Sequence, residues 1–397
     1  MNKQLIRLLV GQSIANLGDV LYLVGVISLL FTITNSAFVT TLVPFVITTS
    51  LFISSILTPL VVARFQVKRI LVVSQASKTL FILVLGLFCY FYIDSQNFAV
   101  VFLLISLVAF LDGCANPIIR SYLPQLVVEE KLLKANSVVE TADQLVQIGS
   151  WFLGGMLLLV IGPTGVLWTV GILYVFALVL WITLPEMEEA DEEEAEGFWM
   201  ELTAGWRVVR DTVVLRKIVW MDLLETIAGT AWIAAIIYIY VDQAIHQTEQ
   251  WWGYLNGAFF VGFLIGSVLC MRFAGFVDRN KYRFMGIGAL VAGILTITFG
   301  MISNPWTAFI LSLGIGLFGQ LKNIPQQTII QRSVSKAKLV TVYTSLGAVA
   351  TGVFALSSLG VGVLSEMLGV RAVFIVSGIL LLTVAIVVAK NKRVWAI

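Results

Sequence analysis

The chain has 397 residues, of which 59% are hydrophobic and 12% are charged, and its formal net charge is +2. With a mean hydropathy of +0.97, this composition leaves too little polar surface to cover a water-soluble domain. It excludes a soluble enzyme, and we expect no nucleic-acid partner.

Apolar runs of roughly 20 residues, the length that an α-helix needs to cross a bilayer, follow one another along the chain. We count twelve and predict an all-α membrane protein with twelve transmembrane helices. The first six spans are 5–32, 38–62, 70–92, 97–119, 138–161 and 164–184. The second six are 214–241, 252–274, 284–302, 306–329, 340–364 and 371–389.

The lysines and arginines indicate the orientation of these spans. Of the 25 in the chain, all except Lys78 and Arg371 lie in or near the termini and every second connection. Loops rich in Lys and Arg stay on the cytoplasmic side of a membrane. We therefore predict that both termini are cytoplasmic.

One strongly polar stretch, residues 185–213, divides the spans into six and six. It opens with an acidic run that we expect to be solvated: Glu186, Glu188, Glu189, Asp191, Glu192, Glu193, Glu194 and Glu196. Apolar residues at a spacing near 3.6 then predict an amphipathic helix on the inner leaflet: Phe198, Trp199, Leu202, Trp206 and Val209. The predicted domains are a half at 1–184, an acidic cytoplasmic linker at 185–213 and a half at 214–397.

The two halves are related by an internal repeat. An offset of roughly 206 to 208 residues lays the second six spans on the first six in the same orientation, as in parallel repeats about an axis normal to the membrane. Asn116 then corresponds to Asn323, and Asp19 to Glu225. Two pseudo-symmetric six-helix halves are therefore predicted.

This organisation resembles the major facilitator superfamily of secondary transporters, over nearly the whole chain. The stretches 116–124 and 131–137 are similar to a signature of the branch that holds macrolide-type drug exporters, siderophore exporters and lysophospholipid transporters. The stretches 252–257 and 323–334 fit the same branch. The resemblance implies the major facilitator fold and alternating access of a central cavity.

The superfamily also carries a Gly-x-x-x-Asp-Arg loop pattern after the second span. Here that loop reads Arg64-Phe65-Gln66-Val67-Lys68-Arg69, and Val62 or Ala63 stands in place of the acidic member. The second-half copy keeps its acid. By resemblance, the expected gating-loop residues are Arg64, Lys68, Arg69, Asp278 and Arg279.

Six acidic residues fall within predicted spans: Asp19, Asp112, Glu140, Asp143, Asp222 and Glu225. A charge near the bilayer midplane costs about 2.5 to 3.5 kcal/mol even on the lenient insertion scale, so each acid needs a partner, a cavity or a proton. Withdrawal from water favours the protonated form of a carboxyl group, and we predict proton-coupling and cavity roles for all six. Alternatively, some lie at a wet cytoplasmic mouth or pair with Lys78, Arg120 or Lys322.

Further cavity candidates lie near these acids. Glu140, Asp143 and Gln147 share one face of the fifth span, since steps of three and four return to the same side of a helix. This polar stripe predicts a water-filled vestibule. The remaining candidate residues for substrate contact are Asn16, Tyr22, Trp151 and Trp232.

The leading hypothesis is a proton-coupled exporter of amphipathic small molecules, of drug or siderophore type. A second is a lysophospholipid transporter or flippase, and a third is a transport-dead sensor or scaffold that recruits a soluble partner through the linker. The sequence has no Gly-x-x-x-x-Gly-Lys-Ser/Thr loop, so we expect energy from an ion gradient. We expect no cofactor or metal, and a monomer in the cytoplasmic membrane, the inner membrane of a bacterium.

Overall fold

The computed structural model describes residues 3–94, 96–186 and 197–395, and within them every regular element is a helix. The predicted all-α class is confirmed. Among the described residues, ten helical segments are long and apolar enough to cross a membrane, and a bent pair of helices makes an eleventh if it is taken as one span. Helices suit this solvent because they pair their backbone polar groups internally.

Five long helices form the first part of the chain. They are α1 Lys3–Thr34, α2 Ala37–Val62, α3 Val67–Phe91, α4 Ala99–Leu126 and α5 Leu132–Ile182. The 51 residues of α5 are about twice the length that one crossing needs. Its helical geometry breaks at Gly162, where φ is 68°, a backbone angle that glycine adopts easily. The two arms of α5 therefore correspond to the fifth and sixth predicted spans.

Two short helices follow, α6 Phe198–Leu202 and α7 Ala204–Asp211. They replace the single amphipathic helix predicted for this part of the linker. Glu186 is exposed, whereas the rest of the predicted acidic run, from Glu188 to Glu196, lies outside the described residues.

Eight helices complete the chain. They are α8 Val213–Gly229, α9 Ala234–Gln243, α10 Gln250–Arg272, α11 Ala274–Arg279, α12 Lys281–Met301, α13 Pro305–Ser333, α14 Leu339–Leu368 and α15 Val370–Lys390. The predicted seventh span is bent by 50° between α8 and α9. Weak helix formers, Gly229 and Thr230, precede the extended residue Ile233 at this bend.

The start of α13 illustrates how local sequence sets a boundary. The Asn304 side chain accepts a hydrogen bond from the Thr307 amide at 3.0 Å, and Pro305 occupies the first turn. A capping side chain satisfies an amide that has no partner inside the helix, and proline loses nothing there because its missing N–H is not needed.

The chain folds into two compact units. The first unit comprises Met1–Val128, Leu145–Arg207 and Lys336–Ala348, and the second comprises Glu129–Gln144, Val208–Ser335 and Val349–Ile397. The core of the first unit is mostly aliphatic, with Val26, Ile82 and Val108 fully buried. The core of the second contains an aromatic cluster, in which Tyr240 and Phe299 stack 4.4 Å apart. The predicted domain boundaries and cytoplasmic termini stay predictions.

Candidate functional site

Three charged side chains meet inside the first unit, and we call them the first cluster. The ammonium group of Lys78 on α3 lies 3.0 Å from a carboxylate oxygen of Asp19 on α1 and 2.7 Å from one of Asp112 on α4. Lys78 is only 1% exposed, whereas the two carboxylates are 23% and 26% exposed. A lysine has three donors and can serve both acids at once. One formal negative charge is in excess among these three groups.

Polar neighbours hold both acids of the first cluster. The Tyr174 hydroxyl on the second arm of α5 donates to Asp19, and the Lys78 ammonium lies 4.9 Å from the centre of the Tyr174 ring, a cation–π distance. The Asn116 amide donates to the other carboxylate oxygen of Asp112 at 3.2 Å. Each acid therefore keeps a neutral hydrogen-bond donor besides the lysine.

A second cluster lies inside the second unit, on facing sides of α8 and α13. Lys322 donates to Glu225, and the Gln326 amide donates to Asp222 at 2.6 Å. The acids are three residues apart and their donors four apart, so each pair lines one helix face. The result is a ladder of two contacts between the two helices.

Two acceptors in the second cluster have no hydrogen bond from the described protein. They are the Oε1 atoms of Glu225 and Gln326, both buried. A buried acceptor without a donor costs about 1 to 3 kcal/mol. The ladder can therefore accept a ligand N–H or O–H group without losing the contacts that it already has.

The predicted polar stripe of α5 is divided between the two units. In the second unit, Glu140 accepts a hydrogen bond from the Gln320 amide at 2.9 Å, and this amide also lies 3.1 Å from the Ser267 hydroxyl on α10. Asp143 is half-buried in the same unit, and Gln147 is half-buried in the first unit. Their predicted vestibule stays a prediction.

The other cavity candidates have different surroundings. Asn16 is half-buried one turn before Asp19, and Tyr22 is buried in the core of the first unit. Trp151 is 52% exposed. Trp232 stacks on Phe259 with ring centres 4.8 Å apart and is part of the aromatic cluster of the second unit.

The two predicted gating loops differ in their ion pairs. Asp278 receives two hydrogen bonds from the Arg332 guanidinium, at 2.7 and 3.1 Å, while Arg279 is exposed and donates to the Gly275 carbonyl at 3.0 Å. In the first-half loop, Arg64 lies 3.9 Å from Glu201 of the linker. Lys68 is half-buried and Arg69 is exposed.

Sequence reasoning identified the acids better than their donors. The sequence indicates Lys78 and Lys322 only as alternative partners of the acids, and it does not distinguish Tyr174, Gln320 and Gln326 as donors. Two signals pointed to the donors. Lys78 is one of two cations that the charge bias does not explain, and Lys322 and Gln326 place polar groups at a helical spacing of four inside an apolar span.

Residues 8–356 match the family model described as Major Facilitator Superfamily. The chain is 31% identical over 393 residues to the uncharacterized MFS-type transporter YfmI of Bacillus subtilis (strain 168), covering 97% of this chain and 96% of that protein. Among solved structures, a bacterial homologue of the iron transporter ferroportin in its outward-facing state has a TM-score of 0.80 at 16% identity, with 99% of this chain and 100% of that chain covered.

The fold is also similar to the E. coli fucose:proton symporter FucP, with a TM-score of 0.78 at 13% identity, 98% of this chain and 99% of that chain being covered. At such identities the two structures show the fold alone. The family match and the relative extend over nearly the whole chain and concern transporters rather than enzymes. The protein therefore belongs to the Major Facilitator Superfamily of membrane transporters and is not an enzyme.

Proposed function

We propose that this transporter is a proton-coupled exporter of amphipathic small molecules, cationic ones in particular, that works by alternating access. The observation that carries the proposal is the first cluster, where Lys78 is 1% exposed and contacts two carboxylates. Charges at membrane depth are costly, and a purely structural pair needs only one acid for one lysine. The second acid gives the cluster a negative charge that a proton or a cation can neutralise.

The first cluster supports exchange of a proton for a cationic substrate. When Asp19 or Asp112 takes up a proton, Lys78 keeps an ionised partner in the other acid, so no buried charge is left alone. When that proton leaves, the excess negative charge returns and attracts a cationic group. Proton uptake and substrate binding therefore compete for the same charge, which is the requirement for antiport.

The second cluster supports the same function with different chemistry. Its unsatisfied acceptors on Glu225 and Gln326 are complementary to the N–H donors of an ammonium or amide group. The export direction and the amphipathic class rest on the resemblance of 116–124 and 131–137 to the exporter branch.

The test uses inside-out membrane vesicles that contain the full-length protein. Ethidium serves as the amphipathic cation, and a pH-sensitive dye follows protons. Addition of ethidium should dissipate an imposed proton gradient, and Asp19→Asn and Glu225→Gln should each reduce this response at least several-fold. Asp211→Asn removes an exposed acid of the linker and is the matched control.

Two outcomes would count against the proposal. If both variants couple ethidium to protons as well as the parent does, the acids are not the coupling groups. If ethidium gives no response but labelled lysophospholipid is moved by the same protein, the lipid-transporter alternative replaces export of small molecules.

A further inference from the structure

A buried acid of the linker faces the loop between α2 and α3, whose own sequence lacks the acidic member of the superfamily pattern. The Glu201 side chain on α6 is only 7% exposed, and its Oε2 atom lies 3.9 Å from the Arg64 guanidinium. That oxygen accepts no hydrogen bond from the described protein. A buried carboxylate is costly without a paired charge, and the structure places Arg64, which is 63% exposed, beside it.

The helices α6 and α7 are joined by local hydrogen bonds. The Thr203 hydroxyl donates to the Trp199 carbonyl at 2.7 Å, and the Arg207 guanidinium donates to the Met200 carbonyl at 2.5 Å. Arg207 thus satisfies a carbonyl of the short helix that precedes it, as basic residues do at helix ends. These bonds connect α6 with the start of α7 inside the first unit, and we call residues 198–207 the linker brace.

The linker brace also contacts the beginning of α14 within the first unit. A Cβ atom on Gly205 would overlap the Thr341 carbonyl and the Ser345 hydroxyl. The brace therefore reaches the backbone of α14 only because residue 205 is glycine. Gly197, the other glycine of this region, has no atom within 4 Å of its Cβ position. The two glycines therefore differ in their surroundings, and only Gly205 lies against α14.

We propose that the linker brace supplies, through Glu201, the carboxylate that the α2–α3 loop lacks, and that it holds the first turns of α14 in place. Glu201 is then a positioning residue. Residues 339–348 of α14 belong to the first unit, and the rest of the helix belongs to the second. Any conformational change that moves these first turns must loosen the brace, so the brace sets the rate of the transport cycle and leaves substrate affinity unchanged.

Hydrogen–deuterium exchange tests the brace without a substrate, using the purified full-length protein in nanodiscs. Glu201→Gln should increase exchange several-fold in 198–207 and in 339–348, because loss of the charge releases the brace from Arg64. The swapped double variant Arg64→Glu with Glu201→Arg should restore protection in both segments. Asp211→Asn removes one member of an exposed ion pair with Arg210. It should leave exchange in both segments unchanged, because exposed ion pairs contribute little to stability.

Gly205→Ala gives an independent perturbation, with Gly197→Ala as its control. Alanine at 205 should increase exchange in the same two segments, whereas alanine at 197 should have no effect. Unchanged exchange in either segment for both Glu201→Gln and Gly205→Ala overturns the proposal. So does an increase that the charge swap fails to reverse.

A kinetic test follows for ethidium transport. Glu201→Gln should change the maximal rate at least several-fold while the half-saturating concentration stays constant, and the charge swap should return the rate toward that of the parent. A change in half-saturating concentration alone would contradict a role in setting the rate. The exchange experiment needs no substrate, so its result stands even if ethidium is not transported and the proposed function fails.

Discussion

The first and second clusters each contain two acids and one lysine, but the lysine is used differently. Lys78 contacts both Asp19 and Asp112, whereas Lys322 contacts Glu225 and the other acid, Asp222, receives an amide hydrogen bond. A proton on either acid of the first cluster leaves the lysine with an ionised partner. A proton on Glu225 removes the carboxylate that Lys322 contacts. The first arrangement is therefore better suited to repeated proton exchange.

The repeat relates one acid of each cluster, Asp19 and Glu225, but not the lysines. At the offset of about 207 residues expected of the parallel repeat, Asp19 and Glu225 correspond to within one residue. Lys322 corresponds to Ala115, and Lys78 corresponds to Met285. The position of the acid is thus common to both halves, while its counter-ion comes from a different helix in each.

Removal of the lysine should distinguish the clusters most strongly. Lys78→Met leaves two carboxylates facing each other in an apolar surrounding, and we expect a loss of about 3 to 5 kcal/mol in the free energy of unfolding. Lys322→Met leaves one carboxylate, that of Glu225, without its positive partner. The loss in the free energy of unfolding should therefore be smaller. Denaturant unfolding of the purified protein in detergent measures both values.

Lys131 is exposed, so Lys131→Met is the control for loss of a positive charge. If the charge balance is the cause, Asp112→Asn added to Lys78→Met should recover part of the stability. Equal losses for Lys78→Met and Lys322→Met would remove the distinction between the two clusters.

Removal of one acid should produce the opposite ranking. Asp19→Asn leaves Lys78 paired with Asp112, so we expect the free energy of unfolding to fall by less than about 1 kcal/mol. Glu225→Gln takes from Lys322 the carboxylate that it contacts, and a charged hydrogen bond contributes about 1.5 to 3 kcal/mol. The same unfolding experiment measures the two variants side by side, and a larger loss for Asp19→Asn would contradict a shared lysine.

Sequence patterns predicted the fold and the acids because both depend on composition along one helix at a time. Apolar length predicts a span, and the Gly162-Pro163 pair coincides with the boundary predicted between the fifth and sixth spans. The acids were found because a carboxylate inside an apolar run is conspicuous.

The partners of these acids depend on which faces of neighbouring helices meet, and one helix's pattern does not contain that information. Tyr174 looks like any interfacial or packing aromatic until α5 is placed beside α1. Glu201 lies outside the apolar stripe predicted for the linker helix, yet packing of α6 against α2 buries it. The bend at Ile233 was missed for the same reason, since hydropathy along 214–241 is continuous.

The Tyr174 hydroxyl is a further difference between the clusters, because the hydrogen bonds described for the second cluster include no tyrosine. Tyr174→Phe removes a hydroxyl that donates to Asp19, and we expect a loss of about 1.5 kcal/mol in the free energy of unfolding. If the loss arises through Asp19, the effects of Tyr174→Phe and Asp19→Asn should deviate from additivity by at least about 0.5 kcal/mol in a double-mutant cycle.

Tyr240 provides the matched control for that cycle, since its buried hydroxyl donates to the Phe299 carbonyl at 2.6 Å in the second unit. Tyr240→Phe loses hydrogen bonds to the neutral carbonyls of Phe299 and Ile302 only, and its effect should add to that of Asp19→Asn within about 0.3 to 0.5 kcal/mol. Additivity in both cycles would mean that Tyr174 stabilises the fold without acting on the acid. The first cluster would then consist of the lysine and its two carboxylates alone, and its difference from the second would rest entirely on how the lysine is shared.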